Sequence, residues 1–104
     1  MDVKNLFANI TVAKSGEEFL TVCENANARI ERIVSQAHLS PADFWYDQEE
    51  DEWVTVLRGT ATLEFAGGER VELHEGDFLT IPRHVKHRVA QTTAVTIWLA
   101  VHLK

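Results

Sequence analysis

The sequence predicts an all-β, antiparallel sandwich or barrel with one short N-terminal helix. Three observations carry that expectation. Short runs of alternating or β-branched residues recur along the chain, glycine-bearing turns separate them, and only one segment, near the start, has a helical plan. The 104 residues form one domain, with an N-terminal strand and helix over about 1–27 and the barrel over about 28–104.

The helix is expected from Ser15 and Glu18, a pair spaced so that each side chain satisfies a free backbone N–H of the first turn. Phe19, Leu20 and Cys23 follow at helical spacing, Asn25 to Asn27 end the segment, and Cys23 is read as a small core residue. "ARIERIVSQ" is a β-branched strand that sets Ile30, Arg32 and Val34 on one face. "SPADFWYDQ" is a proline turn leading into an aromatic strand. "EWVTVL" runs to Gly59, and "TATLEF" alternates Ala61, Leu63 and Phe65 against Thr60, Thr62 and Glu64. "AGGE" is a hairpin turn, after which "RVEL" pairs back and "HEGD" turns again. "FLTI" is stopped by Pro82, which has no N–H to donate, and "HRVAQ", a "TT" turn and "AVTIWLAVHL" complete the set.

Bulk properties exclude several function classes. A formal net charge of −6 disfavours nucleic acid and an anionic membrane surface, since both need a basic face. No apolar run approaches the roughly 20 residues of a membrane span, and "MDVKNLFANI" lacks the plan of a signal peptide. A single cysteine excludes an internal disulfide framework, and the expected location is the cytoplasm.

Two segments carry the chemistry. The first runs from Tyr46 through Glu52 to Gly59, and the second, "GDFLTIPRHVKHRVAQ", from Gly76 to Gln91. The pair resembles the two sequence motifs of the cupin superfamily, in its small single-domain form. The first motif of that family has two histidines one residue apart, a glutamate three or four residues on, and a glycine seven after that. Glu52 and Gly59 fit it. In the second, Gly76, Pro82 and His87 fit, while Gln91 stands for the usual asparagine and His84 for a glycine. The resemblance spans about half the chain and implies a jelly-roll barrel, a double-stranded β-helix.

Side chains two apart on a strand share a face, so His87, Val89 and Gln91 are expected to point into that barrel, opposite Glu52, Val54 and Val56. Carboxylate and imidazole then converge in an apolar interior, which suits a divalent ion or a polar substrate group. The two first-motif histidines are absent. One register puts Tyr46 and Gln48 in their places, the other Trp45 and Asp47. The ligand set implied by the resemblance is therefore His87, Glu52 and one or two of Gln48, Asp47 and Tyr46. It would hold manganese, iron, nickel or zinc less tightly than three imidazoles do, or none.

Trp45 is a candidate wall for a small ligand, Arg32 a partner for a substrate anion, and His84 a residue of the barrel mouth. Gln91 is a candidate substrate contact. Tyr46 could supply a catalytic proton. His74 is expected in solvent. His102 shares a strand face with Trp98, and its side of the barrel stays open.

Three functions are compatible with these residues. The first is a metal-dependent dioxygenase- or isomerase-like enzyme on a small polar molecule. The second is a metal-free binding or sensing module without turnover. The third is a metal-free epimerase or isomerase with His87 as base and Tyr46 as acid. A homodimer is expected from the family resemblance.

Overall fold

The computed structural model of the chain describes residues 1–10 and 16–104. Among the described residues there are eight strands, β1 (Gly16–Glu24), β2 (Ala28–Gln36), β3 (Asp51–Arg58), β4 (Ala61–Phe65), β5 (Arg70–Leu73), β6 (Phe78–Ile81), β7 (His87–Thr92) and β8 (Thr96–Leu103). They form a five-stranded sheet in the order β1-β2-β8-β3-β6 and a three-stranded sheet in the order β5-β4-β7. Every pairing is antiparallel. No described helix is long and apolar enough to cross a membrane.

The core lies between the two sheets. Val54, Val56, Trp98, Ala100, Ile33 and Ile81 come from the larger sheet, and Ala61, Leu63, Leu73 and Val89 from the smaller, all buried. Alternation in "TATLEF" and "EWVTVL" supplies one apolar face per strand, so the two faces can interdigitate. Gly59 ends β3 at φ 89°, and a Cβ there would lie 2.6 Å from Thr93 Oγ1 and 2.8 Å from the Val95 carbonyl oxygen. Both the positive φ and the missing side chain are required where β3 passes the β7–β8 turn.

The N-terminal helix is not formed. Residues 16–24 are strand β1, paired with β2 from Gly16↔Gln36 to Glu24↔Arg29 with a bulge between Thr21 and Cys23. Ser15, the proposed cap, lies outside the described residues. Glu17 and Phe19 alternate with Glu18 and Leu20, and the β2 edge offers a full ladder, which outweighs a local helix start. Asn25 closes the hairpin instead of capping a helix, its Oδ1 accepting from the N–H groups of Asn27 at 2.8 Å and Ala28 at 3.0 Å. Cys23 is exposed on this edge strand and is no part of the core.

The expected aromatic strand at 40–48 shrinks to one bridge. Tyr46 N–H donates to the His87 carbonyl at 2.7 Å, and His87 N–H returns a bond to Tyr46 at 3.1 Å. That bridge holds the first-motif segment against β7.

Candidate functional site

A cavity of about 60 Å³ opens between the sheets, and the inward rows of side chains define it. On the larger sheet, Glu52 of β3 faces its cross-strand neighbours Ile81 on β6 and His102 on β8. Glu31 and Ile33 of β2 and Glu17 and Phe19 of β1 continue that lining, with Trp98 at its base. His87, Val89 and Leu63 close it from the smaller sheet, and Tyr46 and Gln48 from the segment bridged to β7.

His87 is buried at the start of β7. Its Nδ1 is 2.8 Å from the Val85 carbonyl oxygen. A carbonyl can only accept, so Nδ1 carries a proton, and in the neutral ring that burial favours Nε2 presents its lone pair to the cavity. Glu52 Oε1 is 3.7 Å from that nitrogen. Burial holds the His87 pKa below the usual imidazole value, against the opposing Val85 bond. Glu52 is 7% exposed, and burial raises its pKa, with His102 pulling the other way.

Two further clusters surround this pair. His102 Nε2 lies 2.9 Å from Glu31 Oε1, and the imidazole is buried. Glu17 accepts from Ser35 Oγ at 3.0 Å and from the Tyr46 phenol at 3.2 Å, while Trp98 Nε1 donates to Ser35 Oγ at 3.0 Å. The Tyr46 ring stacks on His87 with centroids 5.5 Å apart and planes at 25°. Burial first, and then the Glu17 charge, push the Tyr46 pKa well above the ordinary phenol value, so the phenol keeps its proton.

Of the two first-motif registers, Tyr46 and Gln48 both line the cavity. Asp47 lies outside it, pairing at the surface with His84 Nδ1 at 2.9 Å. His84 thereby belongs to the exterior, as does His74 beside Glu72. Trp45 also lies outside the lining, with the Arg88 guanidinium 6.0 Å from its ring centre.

Gln91 is exposed. Thr62 pairs with Gln91 but Leu63 pairs with Val89, so a bulge at Ala90 reverses the alternation and turns Thr92 inward in its place. Arg32 is buried on the opposite face of β2. Its Nη1 donates to the carbonyls of Ala8 at 2.7 Å and Leu6 at 3.3 Å, and Nη2 lies 3.5 Å from Glu18. It fastens the N-terminal segment and does not reach the cavity.

Glu17, Glu31 and Ser35 were not legible as site residues, because β1 has a helix-like opening and β2 shows its apolar face outward. The charges interrupting "ARIERIVSQ" at Glu31, one residue out of phase with Ile30 and Val34, were the available signal.

The donor set does not fit a resident divalent ion. Among the described residues no three His, Cys, Asp or Glu side chains are grouped to hold one. His87 and Glu52 supply two donors, while Asp47 is turned away and Glu31 is bonded to His102.

The cupin domain family matches residues 36–102, and the chain belongs to that family. Among solved structures it resembles a Ralstonia eutropha JMP134 protein provisionally named a mannose-6-phosphate isomerase. The identity is 41%, with 100% of this chain and 99% of that one covered at a TM-score of 0.92. A cupin superfamily protein from Desulfitobacterium hafniense DCB-2 is 15% identical over 99% of this chain and 92% of its own, with a TM-score of 0.80. A Neisseria meningitidis protein is 17% identical over 99% and 100%, with a TM-score of 0.74. These last two share the fold. No curated protein matches the sequence.

Proposed function

We propose that this cupin is an isomerase-like enzyme that moves a proton between adjacent carbons of a small polar carbonyl compound by general acid–base chemistry. The observation that carries this reading is His87, whose Nδ1–H is fixed on the Val85 carbonyl so that Nε2 faces a buried cavity, with the Tyr46 phenol on the same wall. The isomerase name of the 41% identical Ralstonia protein supports it.

His87 takes the proton from the carbon beside the carbonyl, and the Tyr46 phenol, turning its O–H from Glu17 to the substrate, protonates the carbonyl oxygen, which gives an enediol. Return of the carbon proton to the former carbonyl carbon, with the hydroxyl proton going back to the tyrosine oxygen, completes the exchange with atoms and charge balanced. Burial favours the starting form of both groups, an unprotonated imidazole and an intact phenol. Glu52 lies beside the reacting end as a binding group.

The test is proton exchange in D2O, followed by proton NMR on glyceraldehyde and dihydroxyacetone. Wild-type protein exchanges the carbon-bound proton of at least one. His87→Gln and Tyr46→Phe each slow that exchange by about 10²–10⁴-fold. Binding of these compounds without any exchange would replace this reading by the binding-module one. Full activity that tracks a bound divalent metal would replace it by the metal-dependent one.

A further inference from the structure

We propose that the ligand of this cavity carries a cationic ammonium group, which Glu52 receives with Glu17 and Glu31 around it. The inference deepens the proton-transfer reading in that it concerns the same cavity, but its grounds are separate.

Glu17, Glu31 and Glu52 all open onto one space, and among the described residues no lysine or arginine side chain lines it. Two of the three carboxylates are supplied with donors by the protein. Glu17 has Ser35 and Tyr46, and Glu31 has His102. Glu52 has none. The residue is 7% exposed, and its carboxylate accepts no hydrogen bond from any described residue, since His87 Nε2 at 3.7 Å lies beyond bonding distance. A buried carboxylate left without a donor is costly, and it faces the cavity, so the missing donor belongs to whatever enters.

The chemistry of the entrant follows by elimination. A phosphate or carboxylate would be brought beside three acidic groups, of which, among the described residues, only Glu31 has a fixed cation beside it, Arg29 at 3.8 Å. A neutral hydroxyl would satisfy one lone pair but leave the excess acidity uncompensated. An ammonium supplies several N–H donors and a positive charge, and the Tyr46, Trp98 and Phe19 rings that line the same space add attraction for a cation at their faces. A compact group is required, because the cavity holds about 60 Å³.

The experiment uses three probes with one carbon frame, namely 3-amino-1-propanol, 1,3-propanediol and 3-hydroxypropionate. Each is titrated into the full chain while the Trp98 indole N–H resonance is followed by NMR. The amine is expected to bind at least about tenfold more tightly than the diol, with the acid weakest. Glu52→Gln is expected to erase the advantage of the amine over the diol. The proposal is overturned if the diol or the acid matches the amine in wild-type protein, or if the preference survives Glu52→Gln. The wild-type ranking stands even where the variant fails to fold. Carbon-proton exchange on a neutral hydroxycarbonyl compound, with no binding of the amine, would sink the ammonium site and leave the proton-transfer reading. Amine binding with no exchange on any substrate would do the reverse.

Discussion

The two faces of the five-stranded sheet differ in a way that inverts the usual expectation. Across its outer face, one row runs Leu20–Arg32–Leu99–Thr55–Phe78 and the next Ile30–Val101–Trp53–Thr80. Arg32 is the single charge in those two rows, and it is hydrogen-bonded to two carbonyls and paired with Glu18. Across the inner face, one row runs Arg29–His102–Glu52–Ile81, and Glu31 and Glu17 stand in neighbouring rows above apolar Ile33, Val54 and Trp98. The apolar face looks outward at its rim and the ionisable one inward. A stable fold keeps buried carboxylates and imidazoles only where something offsets their desolvation, and here hydrogen bonds do so for every inner carboxylate except Glu52.

The contrast is broken most severely at the inner floor. Trp98→Ala removes a buried ring from the core and the donor that holds Ser35 against Glu17. A loss of about 3–5 kcal/mol is expected in denaturant unfolding. Retained stability would mean that the inner face is not closed by this ring. On the outer face, Arg32→Met removes the two bonds to the Ala8 and Leu6 carbonyls while keeping much of the stem. It should cost about 2 kcal/mol and free residues 1–10 to faster amide exchange, with ligand affinity unchanged. A large drop in affinity would instead place Arg32 in the site.

The same contrast explains what the sequence could and could not reveal. Glu52, Gly59, Gly76, Pro82 and His87 were readable because their spacing is fixed by two strand ends and a turn. The jelly-roll pairing of β2 with β8 and of β8 with β3 joins residues far apart in the chain, so no local pattern encodes it; it came from the motif resemblance alone. Arg32 was misplaced because Ile30, Arg32 and Val34 do form an apolar face, but period two does not say which face is inside. β1 was misread because Phe19, Leu20 and Cys23 satisfy a helical period about as well as a bulged strand. Gln91 was misplaced because one extra residue, Ala90, changes the phase of β7 beyond Val89.

A smaller effect comes from pH. Burial raises the folded-state pKa of Glu52 above its reference value of 4.5, so the folded chain holds that proton longer than the unfolded one. Stability from this group is full below about pH 4.5 and declines as pH rises through the folded pKa. His87 acts in the other direction. Its folded pKa lies below 6.5, so the neutral ring's contribution is complete above that value and is lost as pH falls through the folded pKa. Glu52→Gln should therefore raise the melting temperature at neutral pH and lose that advantage in acid. An unchanged gap between pH 4 and 8 would show that Glu52 is not desolvated in the folded chain.

The smallest effect is expected at Gln91, and it tests the bulge. If the alternation of β7 ran unbroken from His87, Gln91 would enter the cavity, and its loss would weaken ligand binding like that of any polar lining group. With Ala90 as the extra residue, Gln91 points to solvent beside Thr62, while Thr92 turns inward and its Oγ1 bonds the His38 backbone at 2.7 and 2.9 Å. Gln91→Ala should then change stability by no more than about 0.5 kcal/mol and leave 3-amino-1-propanol binding untouched. Thr92→Val should be felt, because it strips two bonds from a buried position and frees the 37–40 segment that leads to Tyr46. A Gln91 variant that lost affinity while a Thr92 variant kept it would restore the unbroken alternation and return Gln91 to the site.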